Sequence, residues 1–297
     1  MISALGTPRT FHAPDASGAW SVGAGRTLVM GVLNLTPDSF YAGSRQQGVE
    51  SAFDAGMALV AAGADLLDLG GESTRPGATP VAAAEELDRV LPVMERLSGA
   101  SPVPISIDTM KASVARASVA AGARLVNDVS GGLADRSMAQ TISSLAVPVV
   151  VGHIRGTPSN MQDAPNYDDP VREIFDALSA RVDAFMAAGV FRDDILIDPG
   201  IGFGKRTSDN VKILDQLHRF SALECPVVIG LSRKRFLGEF LQDAGCRDEG
   251  PEDRLEASVA AAVLAAERGA AIVRVHDVTE TRRALSFVEG MRQVVHR

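Results

Sequence analysis

Apolar residues in this chain come in short unbroken runs: 28–33 (LVMGVL), 66–70 (LLDLG), 104–108 (PISID), 124–129 (RLVNDV), 147–152 (VPVVVG), 195–198 (ILID), 226–230 (PVVIG) and 271–275 (AIVRV). Each is bounded by Gly, Pro or polar residues. A run that is apolar at consecutive positions predicts a strand covered on both faces, as in a parallel sheet. Between the runs lie amphipathic or alanine-rich stretches at helical spacing, among them 50–62, 83–97, 111–121, 171–188 and 254–268. Several stop at a glycine, at Gly63, Gly122, Gly189 and Gly269, where a left-handed C-cap is commonest. Eight strand–helix units over roughly 250 residues predict a (β/α)8 TIM barrel, an α/β fold, with a doubly wound open sheet as the alternative.

The first 25 residues hold Pro8, Pro14, Asp15 and several glycines but no apolar core of a signal peptide. They are expected to form a short N-terminal extension, ragged or folded as a small hairpin closing one end, ahead of a barrel domain over 26–297. No later apolar run reaches membrane-spanning length, so no membrane partner is expected. The formal net charge of −8 argues against general affinity for nucleic acid. Only Cys225 and Cys246 are present, and neither has a cysteine or histidine at metal-site spacing. A reduced protein of the cytoplasm is the expectation.

The strand ends carry the chemistry. After or closing the eight runs stand Asn34, then Glu72-Ser73-Thr74-Arg75, Asp108, Asn127-Asp128, His153, Asp198, Ser232-Arg233-Lys234, and Arg274 with His276. A lone Asp or Asn after a strand more often caps a helix than catalyses, and a lone His is more often structural. Eight polar ends of eight are harder to explain that way, because a barrel gathers them all at its C-terminal mouth. The stretch 198–205 (DPGIGFGK) has neither P-loop nor dinucleotide spacing. Its glycines fit close backbone approach to a flat ligand near Asp198.

Seven segments, MGVLNLTPDSF (30–40), GGESTRPGA (70–78), SIDT (106–109), NDVSGG (127–132), DPGIGFGK (198–205), GLSRKRFLG (230–238) and RVHDV (274–278), resemble in order those of the dihydropteroate synthase family of pterin-binding barrels. The resemblance implies condensation of 6-hydroxymethyl-7,8-dihydropterin pyrophosphate with p-aminobenzoate in folate biosynthesis. It implies that Asp108, Asn127, Asp198 and Lys234 read the pterin, and that Asn34, Arg274 and His276 take the pyrophosphate. Asp108, Asp198, Lys234 and Asn34 would be the catalytic set, with Mg2+ as cofactor held through Asn34. The p-aminobenzoate site would comprise Thr74, Arg75, Pro76, Phe203, Ser232 and Phe40, with Phe203 and Pro76 clamping the ring. A homodimer is implied too, and helix 254–268 offers Leu255, Val259 and Val263 for inner packing or for a subunit contact.

Two departures stand out. Tyr41-Ala42-Gly43-Ser44 follows Phe40 where the family commonly has an acidic residue, leaving Asp38 as the nearest carboxylate, and Gly152 and Ile154 flank His153 where methionines are usual. A catalytically silent pterin-binding paralogue and a methyltetrahydrofolate-type methyltransferase are the other classes weighed, although the latter needs neither the STRPG nor the SRK segment. Residues 35–48 are expected to act as a lid, with Gly43 and Gly48 as hinges and Phe40 as its apolar cover.

Overall fold

The computed structural model describes residues 9–12, 19–23, 25–36 and 45–295. A hairpin of β1 (Arg9–His12) and β2 (Ala19–Val22) precedes eight parallel strands: β3 (Leu28–Asn34), β4 (Leu66–Gly70), β5 (Ile105–Asp108), β6 (Leu125–Asp128), β7 (Val149–Gly152), β8 (Ile195–Asp198), β9 (Val227–Gly230) and β10 (Ala270–Val275). These eight close into one barrel in the order β10-β3-β4-β5-β6-β7-β8-β9. The expected (β/α)8 TIM barrel is therefore the observed fold. The helices are α1 (Arg45–Ala61), α2 (Ala83–Ser98), α3 (Ala112–Ala120), α4 (Met138–Leu145), α5 (Pro170–Ala187), α6 (Thr207–Asp215), α7 (Arg235–Asp243), α8 (Leu255–Glu267) and α9 (Val278–Val295). The crossover from β9 to β10 carries two of them, α7 and α8.

Both strand faces are apolar because both are covered. Outward residues such as Val29, Leu67, Ile107, Val126 and Ile197 pack with helix residues including Val90, Met94, Ile142, Leu178 and Ile213 in one core. Inward residues such as Met30, Leu66, Leu125, Leu196 and Val228 form a second core, which Phe11 and Val22 of the hairpin complete. Strands β1 and β2 thus form a hairpin plug at the barrel's N-terminal end. Phe11 stacks against Trp20 with ring centres 4.5 Å apart, and Arg9 Nη1 donates to the Arg192 carbonyl at 2.7 Å.

Local signals explain the helix ends. Gly63, Gly122, Gly189 and Gly269 all have positive φ, from 95° to 115°, as the stop signals required. Asp169 caps α5 through Arg172 N at 3.2 Å, with Pro170 at the first helical position. Helix α1 starts at Arg45, ahead of the expected 50, and takes in a buried Gly48. That corrects the hinge placed at Gly48, because a helical glycine packed inside is no pivot. Residues 37–44, with Asp38, Phe40, Tyr41 and Gly43, lie outside the described residues.

Candidate active site

Alternation along each strand decides which terminal residue looks into the barrel. Counting up from the inner core, the last inward positions are Asn34, Gly70, Asp108, Asn127, Gly152, Asp198, Gly230 and Arg274. Glycines at 70 and 230 leave open the space that the five polar residues line, whereas a Cβ at Gly152 would run into the Val129 backbone. A Cβ at Gly70 would lie 3.6 Å from Asp108 Cβ and 3.9 Å from Asn34 Oδ1, and one at Gly230 would lie 3.8 Å from Arg274 Cβ. Asn34 and Asp108 therefore face one space.

One guanidinium ties the floor of this space together. Arg274 Nε donates to Asp68 Oδ2 at 2.5 Å, and Arg274 Nη2 donates to Asp108 Oδ2 at 2.9 Å. Asn127 Nδ2 donates to the same Asp68 oxygen at 3.0 Å. Burial pushes the Asp108 carboxyl up to about 7; Arg274 opposes the rise and the charge of Asp68 adds to it. Asp68 was not among the sequence candidates, because a single carboxylate inside LLDLG reads as part of an apolar strand. Its signal was that a charge on a strand buried on both faces needs a partner.

The glycine-rich loop after β8 sets the opposite wall. Asp198 Oδ1 accepts from Gly200 N at 2.7 Å, and burial raises its pKa against the pull of that bond and of Lys234 and Lys205. Gly200 has φ 70°, and a Cβ there would overlap the His153 carbonyl oxygen, so the loop lies directly on the end of β7. Lys205 is buried beneath, its Nζ 3.0 Å from both His153 Nδ1 and the Phe203 carbonyl. Burial, then the charges of Lys205 and Arg155, push His153 down to about 2, so its ring is neutral, and burial likewise pulls Lys205 well below the usual lysine range. His153 is a loop fastener here. Lys234 donates to the Ile201 carbonyl and holds Nζ 4.1 Å from the centre of the Phe203 ring. Burial lowers Lys234 to about 8, against the attraction of Asp198.

Ser232 and His276 meet beside Arg274. His276 N donates to Ser232 Oγ at 3.3 Å, and His276 Nδ1 lies 3.1 Å from the same oxygen. Burial, then Arg274 and Arg233, lower His276 to about 4. On the rim, the 72–80 loop is fastened by Glu72 Oε2, which takes Lys111 Nζ at 2.7 Å, and by Gly77 N, which donates to the Pro158 carbonyl at 3.0 Å. Thr74 is half-buried while Arg75 and Pro76 are exposed on that loop.

Two polar strand-end residues, Asp128 and Arg233, turn out to be architectural. Asp128 points outward and accepts from Ser130 N, Ser130 Oγ and Gly132 N at 2.7–2.8 Å. Arg233, at φ 60°, pairs with Asp277 and Glu252, each at 2.7 Å. Arg235 is exposed beside Glu239.

Against known proteins, the model of the pterin binding enzyme family matches residues 30–276, most of the chain. The chain is 41% identical over 262 residues to dihydropteroate synthase of Escherichia coli, covering 88% of this chain and 90% of that one. The chain belongs to the dihydropteroate synthases. Among solved structures it is similar to Xanthomonas albilineans dihydropteroate synthase with 4-aminobenzoic acid, at 46% identity and TM-score 0.88, over 96% of this chain and 99% of that one. The same enzyme in complex with 7,8-dihydropteroate matches at 44% identity and TM-score 0.80, over 90% of this chain and 94% of that one. The seven ordered segments and the closed barrel agree with this membership of the dihydropteroate synthase family.

Proposed function

We infer that the chain is a transferase of folate biosynthesis, condensing 6-hydroxymethyl-7,8-dihydropterin pyrophosphate with p-aminobenzoate to give 7,8-dihydropteroate and pyrophosphate. The observation that carries this reading is the convergence of Asp68, Asp108, Asn127 and Arg274 at one end of a closed barrel whose other end is plugged. Related structures that hold 4-aminobenzoic acid and 7,8-dihydropteroate support it.

Asp108, Asn127 and Asp198 offer acceptors to the N–H groups of a pterin edge, and Lys234 offers a donor to its acceptor atoms. When the methylene–oxygen bond breaks, its electron pair leaves with pyrophosphate and positive charge develops on the pterin methylene. The carboxylates of Asp108 and Asp198 oppose that charge from fixed positions, which is where electrostatic catalysis acts most strongly. The arylamine nitrogen then gives its lone pair to the methylene carbon and sheds a proton. No enzyme nucleophile is required in this scheme, in which Ser232, its Oγ 3.1 Å from His276 Nδ1, serves p-aminobenzoate binding.

Arg274, His276 and Asn34 receive the leaving pyrophosphate. His276 is neutral at rest, held so by burial first and then by Arg274 and Arg233, whose charge an arriving phosphate offsets. Among the described residues no three His, Cys, Asp or Glu side chains converge as a metal site. Asn34 Oδ1 is a hard oxygen donor facing the same space as Asp108, and Mg2+ commonly takes one or two protein oxygens together with substrate phosphates. Mg2+ held by Asn34 would neutralise charge on the leaving group. The p-aminobenzoate ring would lie against Phe203, between Lys234 and the Thr74-Arg75-Pro76 loop, with Ser232 and Phe40 completing its site.

Cytoplasmic location and a homodimer belong to this proposal. No helix among the described residues is long and apolar enough to cross a membrane. On α8 the alanines Ala261, Ala262, Ala265 and Ala266 are buried, while Leu264 and, on α7, Phe240 are exposed apolar residues available to a second copy. The deciding experiment is p-aminobenzoate-dependent release of pyrophosphate from the pterin substrate by purified protein. Pterin binding with no release would overturn the assignment as an enzyme, and light scattering that shows monomer alone would remove the dimer.

A further inference from the structure

Asp68 lies on the inner face of β4, one inward position below Gly70, and is wholly buried. Ser106, its partner across the β4–β5 ladder, is wholly buried too. Asp68 Oδ2 takes both Arg274 Nε and Asn127 Nδ2, while among the described residues Asp68 Oδ1 and Ser106 Oγ take no hydrogen bond. A carboxylate paired to a guanidinium has only lone pairs to offer, so the Asn127 atom that faces it must be the amide nitrogen. The amide oxygen of Asn127 is thereby turned away from Asp68 and left as an acceptor. Without that constraint an amide can present either end, because its two ends have nearly the same shape.

We propose that Asp68 sets the hydrogen-bond polarity of the pterin site: by pinning the Asn127 amide and the Arg274 guanidinium together, it makes Asn127 an acceptor and so selects a 2-amino-4-oxopterin over the 2,4-dioxo analogue. The inference rests on the pterin-binding reading above. An amino group brings N–H donors to Asn127 Oδ1. A carbonyl oxygen in its place meets lone pairs, and a site built to receive a donor rejects an analogue that lacks it. Asp68 is a positioning residue, acting through Asn127 and Arg274 without touching substrate. Asp68→Asn keeps the shape but supplies an N–H of its own, so the Asn127 amide is free to turn and offer its nitrogen instead.

The experiment is calorimetric binding of the two analogues to the full chain as wild type, Asp68→Asn, Asn127→Ala and the double variant. The wild type is expected to prefer the 2-amino ligand by roughly 10- to 100-fold, the value of one buried donor–acceptor mismatch. Asp68→Asn is expected to cut that preference about tenfold, and to change it by less than about threefold when Asn127 is already alanine. Affinities for both ligands that fall together with the preference intact would mean a merely structural role and overturn the proposal, as would an equally large effect of Asp68→Asn in the Asn127→Ala background. If Asp68→Asn does not fold, Asn127→Ala carries the test, and an unchanged preference overturns the proposal. A wild-type chain that binds neither pterin overturns the functional reading itself, whereas one that binds both equally overturns only the selectivity drawn from Asp68.

Discussion

Lys234 holds its ammonium nitrogen 4.1 Å from the centre of the Phe203 ring and donates to the Ile201 carbonyl, so one cation fastens the glycine-rich loop to the start of α7. The same lysine faces Asp198, and burial has brought it down to about 8. Asp108, across the mouth, has been pushed up to about 7. If catalysis needs Asp108 ionised and Lys234 charged, kcat/KM for the pterin substrate rises with pH as Asp108 loses its proton and falls again as Lys234 loses its own. A narrow bell with limbs near 7 and 8 is the expected profile. Lys234→Arg should move the alkaline limb upward by more than about one unit, since a guanidinium stays charged, while activity at the optimum drops about tenfold or more. An alkaline limb that stays in place in the variant would remove Lys234 from the mechanism.

Asp198 has one carboxylate oxygen committed to Gly200 N at 2.7 Å. Its other oxygen is the acceptor assigned to the pterin. Asp198→Asn preserves the shape and the Gly200 bond but loses the charge and puts a donor where an acceptor is needed, so pterin affinity is expected to fall by about 100-fold or more. Calorimetry with the pterin checks this, together with a melting curve to show that the fold persists. Unchanged affinity would rule out the assignment.

Arg274 balances two carboxylates, and removing it leaves Asp68 buried without its cation. Arg274→Ala is therefore expected to cost roughly 3–5 kcal/mol of stability as well as pyrophosphate affinity. Arg235→Ala, which breaks an exposed pair with Glu239, should cost under about 1 kcal/mol. Urea unfolding of the two variants compares them directly; similar small losses would mean that the Asp68–Arg274–Asp108 group is not the stabilising link described above.

How far the sequence reaches into this structure depends on what each residue's neighbours require. The strands were legible because a segment covered on both faces must be apolar throughout, and because Gly63, Gly122, Gly189 and Gly269 stop helices by adopting a backbone few other residues accept. The polar strand ends were legible as a set but not singly. Asn127 and Asp128 are adjacent and equally polar, yet alternation sends one into the barrel and the other outward to organise a turn. Asp68 was hidden by its apolar neighbours, and Lys205 stood only as the residue that breaks the dinucleotide-binding pattern of 198–205. Neither role is visible without the partner residue that lies far along the chain, Arg274 for one and His153 for the other. Phe40, assigned to the p-aminobenzoate site, falls outside the described residues.

Gly200 tests the glycine-rich loop. Its φ of 70° and the overlap that a Cβ would make with the His153 carbonyl oxygen leave no room for a side chain. Gly200→Ala is expected to lift the loop from β7, costing about 2 kcal/mol or more and displacing the Asp198 bond, Phe203 and Lys234 at once. Steady-state kinetics should show KM raised for both substrates. A variant with normal kinetics would mean that the loop's path does not shape the site.

The last prediction concerns the end of the barrel away from the chemistry. Phe11, almost fully buried, stacks on Trp20 and joins Val22 in closing the inner core over Leu28, Met30, Leu66 and Leu196. Phe11→Ala opens a cavity there and exposes the neighbouring strand residues to water, a loss of roughly 3–5 kcal/mol for a well-packed phenylalanine. For a domain of this size that corresponds to a fall in Tm of about 10 °C. The hairpin and the polar mouth occupy opposite ends of the same strands, and the strands between them are held by the barrel's own hydrogen bonds and by the helix-facing core. KM for both substrates is therefore expected to stay within about twofold of wild type at temperatures well below the new Tm. Calorimetric melting and kinetics on the same preparation read the two effects separately. A Tm lowered by less than about 2 °C would show that the hairpin is not a plug, and a KM changed severalfold would show that the two ends of the barrel are mechanically linked.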